Sequence, residues 1–108
     1  NQQSLDKFED KVKPGGYLLY DPNGITKKPT RKDIHIYSIE GAQLASDMGN
    51  SKVFNMIILG AFLKLRPIID NKNVEEGLRH SLPERAHKLI PLNMQAVQVG
   101  MDNVKAEN

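Results

Sequence analysis

The side chains that most often carry enzyme chemistry are sparse in this sequence and do not fall at catalytic spacings. The histidines are His35, His80 and His87, and Pro83 separates the last two. They therefore do not form the pair four residues apart that a helical zinc site uses, and no third ligand stands at a metal-like spacing. The chain has no cysteine, which excludes disulfides, thiolate zinc sites and cysteine-ligated iron–sulfur clusters within it. We predict no catalytic residue and no metal site.

Phosphate-binding and nucleophile motifs are also missing. Gly15-Gly16 reads as a helix stop, and neither a GxGxxG nor a GxxxxGK[ST] spacing occurs. No serine belongs to a nucleophile-elbow motif. The 15 basic and 13 acidic side chains give a net charge of +2, which is too balanced to indicate nucleic-acid binding by itself.

Five residues remain as hypothetical contacts with a partner or a ligand. Asp21, Asn23 and Gly24 belong to the sequence DPNG, which has the residues that a type I turn prefers, so we expect the chain to reverse there. Lys28 and Arg31 belong to a basic loop at residues 26–32. This loop is either a solvated connection or a contact with an anion or a partner protein. Both interpretations stay open.

A buried helix between Asn50 and Arg66 is the element around which the rest must be organised. Ten of the thirteen residues from Val53 to Leu65 are apolar and leave no polar face, so we expect the helix to be covered on all sides. Its length, at about 1.5 Å per residue, falls short of the roughly 30 Å core of a bilayer. Gly60 would let another backbone approach closely. Asn55 should hydrogen-bond to backbone, or contact a ligand or a subunit.

The remaining pattern predicts a single α/β domain. An amphipathic helix with Leu5, Phe8 and Val12 on one side comes first. Strands follow at residues 17–21 and 33–39, and we expect them to be neighbours in one sheet. Further helices are predicted at residues 40–48, 73–81, after Pro83, and at about 92–99, where Gly100 should end the last one. Residues 102–108 should form a frayed polar tail.

Several separated segments, in this order, resemble the second half of the gamma subunit of the 2-oxoacid:acceptor oxidoreductases. They are NQQSLDKF, PGG before a short apolar strand, YDPNGI, PTRKDI, the GN before VFNMIILGAFLK, and LPERAHKLIPLN. The resemblance implies part of a three-layer α/β domain with a mixed sheet, like the gamma domain of pyruvate:ferredoxin oxidoreductase. Residues 1–101 would be the C-terminal portion of one gamma-type domain, because the Gly-rich first half of gamma subunits is not in this sequence.

The same resemblance implies a role within a larger enzyme. Such complexes oxidatively decarboxylate a 2-oxoacid to an acyl-CoA, using thiamine diphosphate, magnesium, iron–sulfur clusters and coenzyme A. The cofactors would sit mainly on alpha and beta subunits, with electrons passing to ferredoxin or a similar acceptor. The details look closest to the 2-oxoglutarate branch. This chain would assemble with those subunits, bind no cofactor itself, and be inactive alone.

Two further expectations accompany this interpretation. An isolated half-domain would expose sheet edges and apolar helix faces, so we expect the chain to associate with itself or with the missing half. A cysteine-free chain without a secretion signal is compatible with the cytoplasm, which is the location we expect, with no membrane or nucleic-acid partner. The alternative is a non-enzymatic α/β interaction module whose similarity to the gamma subunits reflects only a shared fold.

Overall fold

A computed structural model describes all 108 residues as five helices and three strands. The helices are α1 (Gln2–Lys11), α2 (Gly41–Asp47), α3 (Phe54–Leu65), α4 (Asn71–Ser81) and α5 (Ile90–Asn103). The strands are β1 (Tyr17–Tyr20), β2 (His35–Ser38) and β3 (Lys105–Ala106). Short 3₁₀ turns at Ser51–Val53 and Glu84–Leu89 precede α3 and α5.

The three strands form one mixed sheet in the order β1-β2-β3. β1 and β2 are parallel, with Tyr17 opposite His35, and β2 and β3 are antiparallel. The prediction that the first two strands are neighbours is confirmed, but no backbone hydrogen bond closes the turn predicted at residues 21–24. The turn lies one residue later, where the Ile25 N–H donates to the Pro22 carbonyl and Gly24 has a φ of 76°. The reason is that the Asp21 carboxylate accepts from the Asn23 N–H and so fixes the start of the turn.

The two faces of the sheet carry separate apolar clusters, which makes the fold three layers. On one face α1 supplies Leu5, which packs with Leu18 and Tyr20 of β1. On the other face, side chains of α2, α3 and α5 pack together around Ile57 and Leu19. The predicted α/β fold with a mixed sheet is therefore confirmed. The alternation of β1 side chains, one to each face, is what separates the two clusters.

Helices α3 and α5 cross at unusually short range because a glycine of each faces the backbone of the other. A Cβ atom on Gly60 would lie 1.9 Å from the Val97 carbonyl oxygen, and one on Gly100 would lie 1.9 Å from the Ile57 carbonyl oxygen. The predicted close approach at Gly60 is confirmed. The prediction that Gly100 ends the last helix is wrong, since α5 continues to Asn103. Gly100 allows α3 and α5 to approach closely and does not cap α5.

The central helix α3 is not covered on all sides. Ile57, Gly60 and Ala61 are buried, but Phe62 is 42% exposed. Asn55 is exposed and makes no side-chain hydrogen bond, so the expected bond to buried backbone is absent. The sheet, α2 and α5 cover only part of the circumference of α3. None of the helices combines the length and apolar composition that crossing a bilayer requires.

The C-terminal residues form part of the sheet, so the prediction of a frayed tail is wrong. α5 extends to Asn103, and β3 then pairs with β2. The Tyr20 hydroxyl donates to Glu107 at 3.2 Å, and the Asn108 amide accepts from the Ile36 N–H and donates to the Ile34 carbonyl, both at 3.0 Å. A two-residue exposed strand has no apolar alternation from which it could be predicted.

Candidate functional site

The carboxyl ends of β1 and β2 lie at the same edge of the sheet because the two strands are parallel. In α/β sheets, ligands commonly bind in the crevice outside these ends. The loop after β1 carries the residues predicted as contacts, and the segment after β2 leads directly into α2. This edge is therefore the candidate site.

Asp21 joins the two connections that leave this edge. One of its carboxylate oxygens accepts from the Asn23 N–H at 2.8 Å, and the other accepts from the Ala42 N–H at 2.9 Å. Ala42 lies in the first turn of α2, whose own N-cap, Glu40, makes no side-chain capping bond. Asp21 thus replaces the missing cap and fixes the position of α2 against the loop.

Two polar cavities lie side by side at this edge. One, of about 280 Å³, is lined by Asp21, Pro22, Asn23, Glu40, Ala42 and Gln43. The other, of about 300 Å³, is lined by Pro22, Lys28, Ser38, Glu40, Leu44, Asn103, Lys105 and Glu107. Because both share Pro22 and Glu40, the structure brings three of the five predicted contacts, Asp21, Asn23 and Lys28, to one neighbourhood.

Ser38 was missed by sequence reasoning although it lies at the end of β2. It is only 6% exposed, and its hydroxyl makes no hydrogen bond within the chain. No fully buried polar side-chain atom lacks a partner, so this hydroxyl must be open to the larger cavity. Its position as the last residue of a strand parallel to β1 is the signal that points to it. Lys105 was missed because residues 102–108 were predicted to be frayed.

Arg31 turns away from this edge toward α1. Its Nη1 donates to the carbonyl oxygens of Glu9 and Val12 at 2.7 and 2.5 Å, and its Nε and Nη2 donate to the Asp33 carboxylate at 2.9 and 2.7 Å. The guanidinium thus caps the C-terminus of α1. The hydrogen bond between the Arg31 guanidinium and the Asp33 carboxylate raises the pKa of Arg31 and lowers the pKa of Asp33 from its ordinary value. Gly24 borders neither cavity, and its role is to allow the turn.

Lys28 differs from Arg31 because its ammonium group is not paired. It is exposed, it forms no salt bridge, and it borders both the larger cavity at the edge and a further cavity of about 220 Å³. The basic loop is nevertheless well held, since the Glu9 carboxylate accepts from the Thr30 and Arg31 N–H groups at 2.7 and 3.0 Å. Lys28 is therefore presented on a fixed backbone.

The histidines are distributed over the surface and do not converge. The His35 ring lies 4.8 Å from that of Tyr17, His80 is 4.0 Å from the Glu76 carboxylate, and His87 is hydrogen-bonded to the Leu82 carbonyl. No three His, Asp or Glu side chains are grouped as a metal ion requires. With no cysteine either, the residues present do not fit an iron–sulfur cluster or a zinc site.

Comparison with known proteins decides the family. The sequence pattern of the pyruvate ferredoxin/flavodoxin oxidoreductase family matches residues 1–103. The chain belongs to this family. It is 31% identical over 86 residues to the 2-oxoglutarate synthase subunit KorC of Methanocaldococcus jannaschii, covering 78% of this chain and 46% of that protein. It is 28% identical over 120 residues to the pyruvate-flavodoxin oxidoreductase of Klebsiella pneumoniae, covering 94% of this chain and 10% of that protein.

Solved structures of the oxidoreductase family share the fold. The keto/oxoacid ferredoxin oxidoreductase gamma subunit of Geobacter sulfurreducens matches with a TM-score of 0.78 and 27% identity, over 94% of this chain and 59% of that one. The 2-oxoglutarate:ferredoxin oxidoreductase of Magnetococcus marinus, solved with 2-oxoglutarate, coenzyme A and succinyl-CoA, matches with the same score and identity, over 18% of its chain. The predicted resemblance to gamma subunits is confirmed. This chain spans only part of each relative.

Proposed function

We propose that this chain acts as the gamma-type part of a 2-oxoacid:acceptor oxidoreductase complex. The observation that carries the proposal is the match of residues 1–103 to the family, together with the fold shared with a gamma subunit. The complex would convert a 2-oxoacid to an acyl-CoA and pass electrons to ferredoxin or a similar acceptor. The similarity to a 2-oxoglutarate synthase subunit supports 2-oxoglutarate as the substrate.

Within this complex the chain would have a role in assembly and no catalytic residue of its own. Thiamine diphosphate, magnesium, iron–sulfur clusters and coenzyme A would supply the chemistry on alpha and beta subunits. The assignment of the cofactors to other subunits is supported by the side chains of this chain, which include neither cysteine nor a cluster of metal-binding residues. We expect the chain alone to be inactive.

An apolar surface at one end of the α3–α5 pair is the proposed contact with the other subunits. The two helices are antiparallel, since Gly60 faces Val97 while Gly100 faces Ile57, so the end of α3 and the start of α5 lie together. Exposed apolar side chains follow α3 and precede α5 at this end, namely Ile68 (67% exposed), Ile69 (46%) and Leu89 (44%). Grouped exposed apolar residues mark protein interfaces. Without its partners, the chain would self-associate through this surface.

The polar edge of the sheet is the second proposed contact. Lys28 offers an unpaired charge at one of the two cavities there, and Asn23 lines the other. Asp21, Gly24 and Arg31 would contribute by fixing the shape of the loop, through the bonds and the turn described above. Lys28→Ala should therefore weaken subunit association more at low salt than at high salt, because salt screens an exposed charge. Equal weakening at both salt concentrations would remove the electrostatic part of the proposal.

Copurification and activity test the function directly. A tagged chain recovered from its native cell should bring with it a thiamine-diphosphate-binding subunit, and the preparation should reduce ferredoxin when given 2-oxoglutarate and coenzyme A. Pyruvate and a branched 2-oxoacid serve as competing substrates. Recovery of the chain without any thiamine-diphosphate subunit would favour the non-enzymatic interaction module. Faster turnover of pyruvate would overturn the substrate assignment while leaving the complex intact.

A matched pair of variants tests the apolar surface. Replacing Ile68 and Ile69 by serine should abolish copurification and the self-association of the isolated chain, whereas Lys72→Ser, at an exposed position of α4, should leave both unchanged. Light scattering measures the self-association. We also propose a cytoplasmic location for the complex, and recovery from a membrane or periplasmic fraction would contradict it.

A further inference from the structure

Asn23 and Gly24 form the only Asn-Gly pair in the sequence, and both residues are exposed. They are the two central residues of the turn that the Ile25 N–H closes on the Pro22 carbonyl at 3.0 Å. Gly24 has a φ of 76°, which is the conformation of the third residue of a type II turn. Because glycine has no Cβ, the Gly24 nitrogen is the least hindered backbone group that the Asn23 side chain could meet.

The peptide group that joins Asn23 to Gly24 makes no hydrogen bond within the chain. The Gly24 N–H donates to no acceptor, the Asn23 carbonyl accepts from no donor, and the Asn23 side-chain amide has no partner either. No other part of the chain lies within 4 Å of where a Cβ atom on Gly24 would be. This peptide group can therefore rotate without breaking a hydrogen bond of its own, and the rotation brings the Gly24 nitrogen to the side-chain carbon of Asn23.

The residues on either side of this peptide group are held, which keeps the two reacting groups together. The Asp21 carboxylate accepts from the Asn23 N–H at 2.8 Å, and the Ile25 N–H is bonded as described above. Two groups that a short segment holds together react as one molecule, with no loss of translational freedom. The turn thus combines a fixed frame with a free central peptide group.

We propose that Asn23 is a site of spontaneous deamidation. The Gly24 nitrogen attacks the side-chain carbonyl carbon of Asn23, the bond from that carbon to the amide nitrogen breaks, and the proton of the Gly24 N–H leaves with the amide group as ammonia. Water then opens the resulting succinimide at either carbonyl, which gives aspartate or isoaspartate at position 23. The reaction needs no oxoacid and no partner subunit, so the proposal stands or falls separately from the proposed function.

The modification would loosen the attachment of α2 to the loop. Both products carry a carboxylate, which is ionised at neutral pH and lies at the cavity that Asp21 and Glu40 already line. Like charges repel, and isoaspartate also adds a carbon atom to the main chain within the turn. Asp21 holds the Ala42 N–H at 2.9 Å through its other oxygen, so a displaced Asp21 would leave the start of α2 uncapped.

Incubation of the purified chain in mildly alkaline buffer tests the reaction, with the peptide YDPNGIT as a measure of the same reaction without the fold. Peptide mapping by mass spectrometry should find both isoaspartate and aspartate at position 23, with an equal amount of ammonia released. Asn55 is the internal control, because it is also exposed and unbonded but lies within α3 and precedes methionine, so it should keep its amide. Asn23→Gln keeps the charge and the amide but requires a larger ring, and it should release ammonia at least about tenfold more slowly.

Hydrogen exchange tests the effect on α2. The modified chain has one more negative charge and can be separated from the unmodified chain by anion exchange. Its Ala42 amide should exchange at least about threefold faster than in the unmodified chain. Amides of α5, which does not contact this loop, should exchange at equal rates in the two forms.

Four results would count against the proposal. An intact amide at position 23 after the peptide has been converted would show that the fold prevents the reaction. Aspartate without isoaspartate would exclude the succinimide. Equal conversion of Asn23 and Asn55 would remove the role of Gly24, and this comparison holds even if Asn23→Gln fails to fold. Unchanged exchange at Ala42 in the modified chain would overturn the effect on α2.

Discussion

Adding a single methyl group at the α3–α5 crossing by Gly60→Ala should destabilise the fold, whereas the same change at Gly77 in α4 should stabilise it. Gly60→Ala would place a Cβ atom 1.9 Å from the Val97 carbonyl oxygen, and such contacts essentially never fall below 3.0 Å. The two backbones would have to separate by at least 1.1 Å. The neighbouring Ala61 and Val97 are fully buried, so this separation would open packed core contacts.

The expected size follows from two opposing terms. Alanine is preferred over glycine in a helix interior by about 1 kcal/mol. Overpacking usually costs about 1 to 3 kcal/mol, and against a backbone that cannot rotate away we expect it to reach or exceed the upper limit, at about 3 to 4 kcal/mol. The net loss in the free energy of unfolding should be about 2 to 3 kcal/mol. With a urea slope of about 1.5 kcal/mol per molar, the midpoint should fall by about 1.3 to 2 M.

Urea unfolding followed by circular dichroism is the assay, with Gly77→Ala as the matched control. Gly77 also lies inside a helix, but nothing lies within 4 Å of where its Cβ would be. Gly77→Ala should therefore raise the free energy of unfolding by about 0.5 to 1 kcal/mol. Combining Gly60→Ala with Gly100→Ala should cost less than the sum of the single changes, because one separation of the helices accommodates both methyl groups. A midpoint for Gly60→Ala equal to or above that of wild type would refute the close crossing.

The remaining predictions concern the residues that tie the loop and the C-terminus to the sheet. Asp21→Ala should lower the free energy of unfolding by about 1 to 2 kcal/mol through loss of the α2 cap, while Asn23→Ala should change it little, as measured in urea. Asn108→Ala removes one bond to Ile36 of β2 and one to the Ile34 carbonyl directly before it, and should cost about 1 to 2 kcal/mol and speed exchange of the Ile36 amide; unchanged exchange would contradict this. Burial, followed by the charge and hydrogen bond of Glu107, raises the pKa of Tyr20, so its contribution to stability is present below its ordinary pKa and lost as pH rises through the folded value. The free energy of unfolding of the wild type should therefore fall more steeply with rising alkaline pH than that of Tyr20→Phe. Equal pH dependence of the two free energies would refute the coupling between Tyr20 and stability.

Local sequence signals were sufficient wherever one element decides its own structure. Gly49, with a φ of 77°, follows the C-terminus of α2, within the range predicted for that helix, and Asp70 caps α4 through the Asn73 N–H. Ile34 and Ile36, which alternate with His35 in the strand predicted at residues 33–39, are both buried in the core. These outcomes depend on backbone geometry and on side-chain periodicity within a few residues, and both can be read from sequence.

The candidate site was only partly predictable, because its residues are joined by contacts between distant segments. The sequence pointed to Asp21 and Arg31 as exposed polar residues of a loop. It could not show that Asp21 caps α2 or that Arg31 caps α1, since each bond spans about twenty residues of chain. Ser38 was missed because only the parallel pairing of β1 with β2 places the ends of both strands, and so Ser38, at the candidate edge.

The sequence by itself indicated the family, the order of the helices and of the first two strands, and the pairing of those two strands, because periodicity and turn residues act locally. Tertiary structure alone decided that Gly100 continues α5 and that residues 105–106 form a strand. It also decided that Asn55 and Phe8 are exposed in this chain. A glycine can end a helix or admit a neighbouring backbone, and a short polar segment can fray or pair with a sheet edge. The choice depends on whether another part of the fold lies within hydrogen-bonding or van der Waals distance, and no local pattern contains that information.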